Sequence, residues 1–271
     1  MRLMMPVGTV SVLDMHCHTK EGSMDGLASI FDIVRKMKDM GYTGLLVSDH
    51  NSYKGFEAWE AGKDQYEDLK DFVVLKALEY DSRDGGHVMI ILPDGVDIPP
   101  FKVRGMKIAD VLKKVHEVGG ICGMVHPFGP GAYAAMRNPH VLMDEAVQNA
   151  YDYIECYNAH IPAVANEMAE ILNKKLNKPM VAGTDAHKIR YAATAATAFS
   201  KPIKTNNDLI AAIRENEILY AGRVGNTDHP QLRGVMRLFT NLGYTTWNKS
   251  AAFLYTKRRS KAWHRNHKNQ K

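Results

Sequence analysis

Almost every short apolar run in this chain stops on a histidine or an acid. Met15 leads to His16, Ser48 to Asp49 and His50, Leu78 to Glu79, Val125 to His126, and Gly183 to Asp185 and His187. Short, nearly continuous apolar runs are the pattern of strands covered on both faces. VSVLDMH, GLLVSDH, FVVLKALEYD, HVMIIL, GICGMVHP, YIECYN and PMVAGTDAH alternate with the helical patterns IFDIVRKMKDMG, IADVLKKVHEVGG, AVANEMAEILNKKLN and DLIAAIREN. Such alternation predicts an α/β fold with a mainly parallel sheet. In a closed barrel the C-terminal ends of the strands converge on one mouth, which is where chemistry collects. A barrel with one polar mouth accounts for the punctuation.

Six of the twelve histidines lie at these ends or beside them: His16, His18, His50, His87, His126 and His187. Asp49, Glu79 and Asp185 do likewise, and Asp25 lies in the loop after the first strand. Side chains on a strand alternate with period two, so both imidazoles of HxH share a face and can hold one ion. Asp185 and His187 repeat that spacing. Neutral imidazole with carboxylate suits zinc, manganese or iron. Any one of these histidines alone reads best as a packed or solvated residue, but two period-two pairs, a DH pair and two further strand-end histidines in one chain do not. Glu79 can bridge two ions, which a histidine cannot.

The remaining polar candidates are weaker. Asp49 either orients a ligand imidazole from behind or caps the segment that follows, and the two readings stand level. Cys17 should face away from the mouth. His116, His140, His160 and His229 read as solvated side chains, and His160, close after Asn158, is the one of them that could instead reach a substrate. Cys17, Cys122 and Cys156 form no CxxC pair and suggest neither a disulfide framework nor a thiolate zinc site.

The length of 271 residues and 45% hydrophobic content support one sizeable domain, and no Pro/Gly/Ser-rich linker divides the chain before residue 225. No run of about 18 apolar residues occurs, and charged and metal-type residues stand where a signal peptide would continue its apolar core. A cytoplasmic protein without membrane contact is the expectation. Seven of the 35 Lys and Arg residues crowd positions 257–271, leaving 28 bases against 30 acids before them. That tail is expected to be a disordered end, with an arm for a polyanion as the minority reading. Residues 226–256, with RLFTNLGYTTW, are expected to pack on the barrel.

The ordered motifs HCH at 16–18, SDH at 48–50, VHP at 125–127 and GTDAH at 183–187, with Glu79 and GGHVM at 85–89 between the second and third, resemble the polymerase and histidinol phosphatase (PHP) superfamily. The resemblance spans residues 10–225. It implies a distorted (β/α)7 barrel at residues 1–225 with two or three divalent ions at the C-terminal ends of its strands. By the same resemblance, one ion takes His16, His18, Glu79 and Asp185, and a second takes Glu79, His87 and His126. The third takes His50, His187 and an acid of the first loop. HTKEGSMDG departs there from the family's HTxxSDG, its acid falling two residues late; Asp25 is assigned, with Glu21 as competitor.

The function implied is a metal-dependent phosphoesterase in which an ion-activated water attacks phosphorus. Glu79, Asp185, His126 and Asp49 are the catalytic candidates. Arg190, Lys20, Asn158 and His160 are the candidates for binding the substrate, Arg190 because it follows the DAH motif by three residues. The substrate expected is a small phosphomonoester, a nucleotide or a short oligonucleotide. The stretch from His87 to His126 lacks the long insertion of some nucleotide-specific relatives, which lowers the nucleotide reading. The rivals are a hydrolase of carbon–nitrogen or ester bonds and a non-catalytic metal-binding barrel; the oligomeric state is left open.

Overall fold

The computed structural model describes residues 3–225, 242–248 and 250. Among the described residues ten strands run in chain order as β1 (Ser11–Cys17), β2 (Gly44–Val47), β3 (Val73–Lys76), β4 (Leu78–Asp81), β5 (His87–Ile91), β6 (Ile121–Met124), β7 (Tyr153–Asn158), β8 (Met180–Gly183), β9 (Ala195–Phe199) and β10 (Ile218–Arg223). The α-helices within residues 3–225 are α1 (Ile30–Met40), α2 (Lys54–Gly62), α3 (Ile108–Glu117), α4 (Pro139–Leu142), α5 (Glu145–Asn149), α6 (Ala163–Leu176) and α7 (Asn206–Arg214).

Local chemistry sets the helix limits. Ser29 caps α1 by accepting the Asp32 amide, and Ile30, Ile33, Val34 and Met37 fall on one buried stripe. Gly41 then adopts φ 96°, a left-handed conformation that glycine takes without the Cβ clash, and ends the helix. Thr205 and Asp208 form a reciprocal capping box at the start of α7.

The strands form two five-stranded sheets, ordered β10-β9-β1-β2-β3 and β4-β5-β6-β7-β8. Four pairings are parallel and four antiparallel, so the expected mainly parallel sheet is half right. The reason is visible in the connections. Only residues 82–86 join β4 to β5, far too few for the crossover that a parallel pair requires, and a hairpin results. A single extended run, FVVLKALEYD in the sequence, becomes two strands because the chain changes sheets at Ala77. The sheets also meet at two isolated parallel bridges, Cys17 with Ala186 and His50 with Glu79. Among the described residues no continuous ladder closes them into a barrel.

The sheets nevertheless share one apolar interior. Leu13, Met15, Leu46 and Leu75 from the first pack with Met89, Ile91, Ile121, Tyr153 and Val181 from the second, and Leu209 and Ile213 of α7 join them. With the apolar parts of the strands spent on this interior, the polar residues at or just beyond their C-terminal ends are left to meet one another. No helix among the described residues is long and apolar enough to cross a membrane.

Candidate metal centre

Glu79, 1% exposed on β4, is the hub of the polar end. Its two oxygens face different histidines. Oε2 lies 3.5 Å from His16 Nε2, 3.3 Å from His18 Nε2 and 3.2 Å from His50 Nδ1. Oε1 lies 2.7 Å from both His87 Nδ1 and His126 Nε2. Asp185 Oδ1 completes the first group, 3.6 Å from His16 Nε2 and 3.2 Å from His18 Nε2. The residues assigned to the first two ions are thus brought together. Those assigned to the third also converge, since Asp25 Oδ2 lies 3.2 Å from His187 Nε2 and 3.8 Å from His50 Nε2. Glu21 does not join them, because its carboxylate accepts the Ile30 amide at the start of α1.

The outer nitrogens of three rings are already held. His16 Nδ1 donates to Glu155 Oε1 at 3.1 Å, His18 Nδ1 to Ser23 Oγ at 3.1 Å, and His187 Nδ1 to the Asp185 carbonyl at 2.9 Å. Each is therefore oriented so that Nε2 faces inward. His16 Nε2 and His18 Nε2 approach each other to 3.2 Å, with carboxylates alongside. His50 Nδ1, His87 Nδ1 and His126 Nδ1 are buried without an aligned hydrogen bond.

The electrostatics agree. Burial alone drives the Glu79 carboxyl up, but the His87, His16 and His50 rings and the His126 hydrogen bond outweigh it and hold the group well below the usual carboxylate range. Burial opposes charge on His16, and Asp185, Glu155 and Glu79 overcome that penalty to raise it well above ordinary imidazole. His187, likewise penalised by burial, is pushed up to about 9 by its bond to Asp25 and by the Asp185 charge. Clustered carboxylates that retain protons on buried rings draw divalent cations by the same field.

Two ligand-type residues occupy rare backbone conformations. His126 has φ 29° and Asp185 φ 50°. Non-glycine residues in this region are held there by their surroundings and gather at functional sites. Here the His126 amide donates to Glu155 at 2.8 Å and the Asp185 amide to the His16 carbonyl at 2.8 Å.

Asp49 stands behind the cluster. Its carboxylate accepts from the Thr19 amide and hydroxyl, from Ser23 Oγ and from the Gly55 amide in α2. It therefore reaches His18 through Ser23 and also ties the first loop to α2. Asp49→Ala is expected to destabilise the protein by about 3 kcal/mol, because several buried donors lose one charged acceptor. Denaturant unfolding in the presence of chelator measures this apart from ion loss; a change under about 1 kcal/mol would contradict the role.

Of the substrate candidates, Asn158 and His160 sit at the cluster. Asn158 Nδ2 donates to Glu155 Oε2 at 2.9 Å and to Asp185 Oδ2 at 3.2 Å, and the His160 ring centroid lies 5.5 Å from that of His187. Lys20 and Arg190 are exposed, and the Arg190 guanidinium lies 4.5 Å over the Tyr191 ring. Cys17 packs in an apolar cluster with Ile30 and Val34, as its alternation predicts.

Sequence reasoning missed three acids. Asp81 sits 3.0 Å from His87 Nε2, Glu155 holds His16, and Asp14 accepts from the Thr184 amide at 2.9 Å behind the cluster. Asp81 follows Glu79 by two residues and Asp14 precedes His16 by two, the same spacing that singled out HxH. Residues 242–248 are helical and bring the Tyr244 ring to 5.3 Å from His87, while Asn248 Nδ2 donates to the Ser82 carbonyl at 3.3 Å. The remainder of 226–256, His229 and the basic tail lie outside the described residues.

Comparison with known proteins adds a family segment and a fold. A family model described as PHP-associated matches residues 163–218, which include Asp185 and His187. No curated relative matches the chain. The fold is similar to that of a two-domain protein containing a predicted PHP-like metal-dependent phosphoesterase from Bacteroides vulgatus, at 16% identity and a TM-score of 0.59, covering 80% of this chain and 67% of that one. PsfC from Pseudomonas syringae is similar at 14% identity and 0.57, covering 89% of this chain and 98% of its own. The lesion-specific endonuclease PfuEndoQ from Pyrococcus furiosus is similar at 16% identity and 0.58, covering 78% and 58%. At these identities the structural likeness is one of fold. The motifs resemble those of the PHP superfamily, a PHP-associated model matches residues 163–218, and the fold is similar to that of a protein containing a predicted PHP-like phosphoesterase.

Proposed function

We propose that the protein is a metal-dependent phosphoesterase that hydrolyses a phosphate ester at the Glu79 centre. The observation that carries the reading is the division of one buried carboxylate between two histidine groups, with Oε1 turned to His87 and His126 and Oε2 to His16, His18 and His50. Two or three ions of zinc, manganese or iron fit this set of imidazoles and carboxylates. Divalent ions held there would acidify a water toward neutral pH and offset charge developing on phosphoryl oxygens. We read the two sheets, with their shared interior and two bridges, as a distorted (β/α)7 barrel that its ladders leave incompletely closed.

The protein's own groups have separable tasks. Glu79 and Asp185 supply negative charge at the centre, Glu155 and Ser23 fix the His16 and His18 rings, and Asp49 fixes Ser23. Asn158 and His160 border the Asp185 side, where they would meet the ester's oxygens, and the Lys20 and Arg190 cations would contribute from the exposed rim. The similar proteins include a predicted phosphoesterase and an endonuclease, which favours a phosphate ester or nucleic acid over an amide.

Stripping with chelator is expected to reduce phosphomonoester or oligonucleotide hydrolysis to background, with manganese or zinc restoring it. The same loaded preparation is assayed on amide and carboxyl ester substrates. Full activity after verified removal of every ion, or turnover of amides without turnover of phosphate esters, would overturn the assignment.

A further inference from the structure

Asp81 has no place among the motif residues, yet it is 1% exposed and follows Glu79 by two residues on β4, which puts both carboxylates on one face. Its two oxygens have different surroundings. Oδ2 receives the Asn51 amide at 2.7 Å and pairs with the Arg104 guanidinium, and Asn51 Oδ1 in return accepts the Asp81 backbone amide at 3.1 Å. Oδ1 accepts no aligned hydrogen bond, although His87 Nε2 lies 3.0 Å away and His50 Nδ1 3.6 Å away. His50 Nδ1 and His87 Nδ1 are buried and equally without a hydrogen-bond partner.

Buried polar atoms without a hydrogen bond are costly, and Asp81 Oδ1 is one whose nearest polar neighbours are His50 Nδ1 and His87 Nε2, while His87 Nδ1 faces Glu79 Oε1. His50, Asp81 and His87 have donor atoms close enough to one another to share an ion. We propose that Asp81 Oδ1 is itself a ligand of the metal centre, joining His50 and His87 beside Glu79. The inference rests on the metal-dependent reading given above. Asn51 and Arg104 are then the outer partners that orient a ligating carboxylate, as hydrogen-bonded neighbours commonly do. Arg104 also balances the Asp81 charge, so the centre gains a ligand with little change in net charge.

The test measures ions per chain and their affinities by titrating manganese or zinc into stripped wild type, Asp81→Asn, and the double variant Asp81→Asn with Arg104→Gln, in competition with a chromophoric chelator. One ion is expected to bind about 10- to 100-fold more weakly in both variants, the others being retained. The double variant leaves no unpaired guanidinium, so it separates loss of a ligand from loss of fold, and unfolding in chelator reports the fold directly. Unchanged affinities in the folded variants would overturn the role of Asp81 and leave the metal-dependent reading standing. A wild type that binds no ion would overturn both. A structure of the loaded wild type decides the matter independently of the variants: Oδ1 is expected within about 2.0–2.2 Å of an ion, and a separation beyond hydrogen-bond reach rules ligation out.

Discussion

Glu79→Gln is expected to abolish more than one ion's worth of binding and to take hydrolysis to background. The substitution keeps the side chain's length and nearly its shape, so the apolar surroundings of β4 need not repack. What changes is the capacity to bridge. A carboxylate offers two anionic oxygens, and here one is turned to His87 and His126 while the other is turned to His16, His18 and His50. A neutral amide offers one weak donor oxygen to one group and an NH2 that repels a cation from the other. Removing hydrogen-bonded partners around metal ligands already costs about 10- to 100-fold in affinity, and loss of a bridging ligand should exceed that for two ions at once. Elemental analysis of carefully loaded protein, with circular dichroism to confirm folding, measures the effect. If Glu79→Gln retains the wild-type ion content, Glu79 does not bridge and the centre must be redrawn around Asp185.

Much of this centre could be read in the chain because strand geometry is local. Period-two alternation puts His16 beside His18 whatever the rest of the molecule does, and the same holds for Asp185 and His187. Their meeting with Glu79 is a tertiary fact, but the repeated punctuation of strand ends carries it. The choice of Asp25 over Glu21 was not local. It depends on Glu21 being occupied with the Ile30 amide, a contact that only the folded loop reveals. Asp81 and Asp14 had the right spacing but lie in runs where the neighbouring histidine or glutamate draws attention first. Glu155, in YIECYN, had no motif; its role becomes visible only when β7 is laid beside β8 and His16.

The fold was legible to a similar depth. Alternating strands and helices gave the α/β class, but run lengths do not say which strand pairs with which. The hairpin between β4 and β5 did leave a signal, since SRDGG between two apolar runs is turn chemistry rather than crossover chemistry. The change of sheet at Ala77 left none, because an extended chain continues through it unchanged. Exposed cations show the converse limit. Arg190 lies close in sequence to the DAH motif, yet its guanidinium lies over Tyr191 at the surface.

Gly183→Ala is the second substitution expected to have a large effect, and it acts through the seam between β1 and β8. There the Asp185 amide donates to the His16 carbonyl at 2.8 Å, the His18 amide to the Ala186 carbonyl at 3.2 Å, and the Thr184 amide to Asp14 at 2.9 Å. Asp14 is wholly buried in this seam, and burial pushes its carboxyl up to about 7 against the Thr184 hydrogen bonds that favour its charged form. A methyl at Gly183 would stand 2.3 Å from His16 Cβ, 2.8 Å from the His16 backbone nitrogen and 2.7 Å from Glu155 Oε1. None of these can yield cheaply, because two belong to the strand that carries HxH and the third holds the His16 ring. Overpacking of this kind costs about 1–3 kcal/mol, and separation of the strands also displaces His16 from Asp185 and Glu79. The expected result is a loss of stability near the upper end of that range together with at least about 10-fold weaker binding of an ion, as when a ligand's support is removed. Gly243, where an added Cβ meets nothing within 4 Å, is the matched control and should leave ion binding unchanged on conversion to alanine. Wild-type stability and ion affinity in Gly183→Ala would mean that the seam opens without cost and that His16 is not held by it.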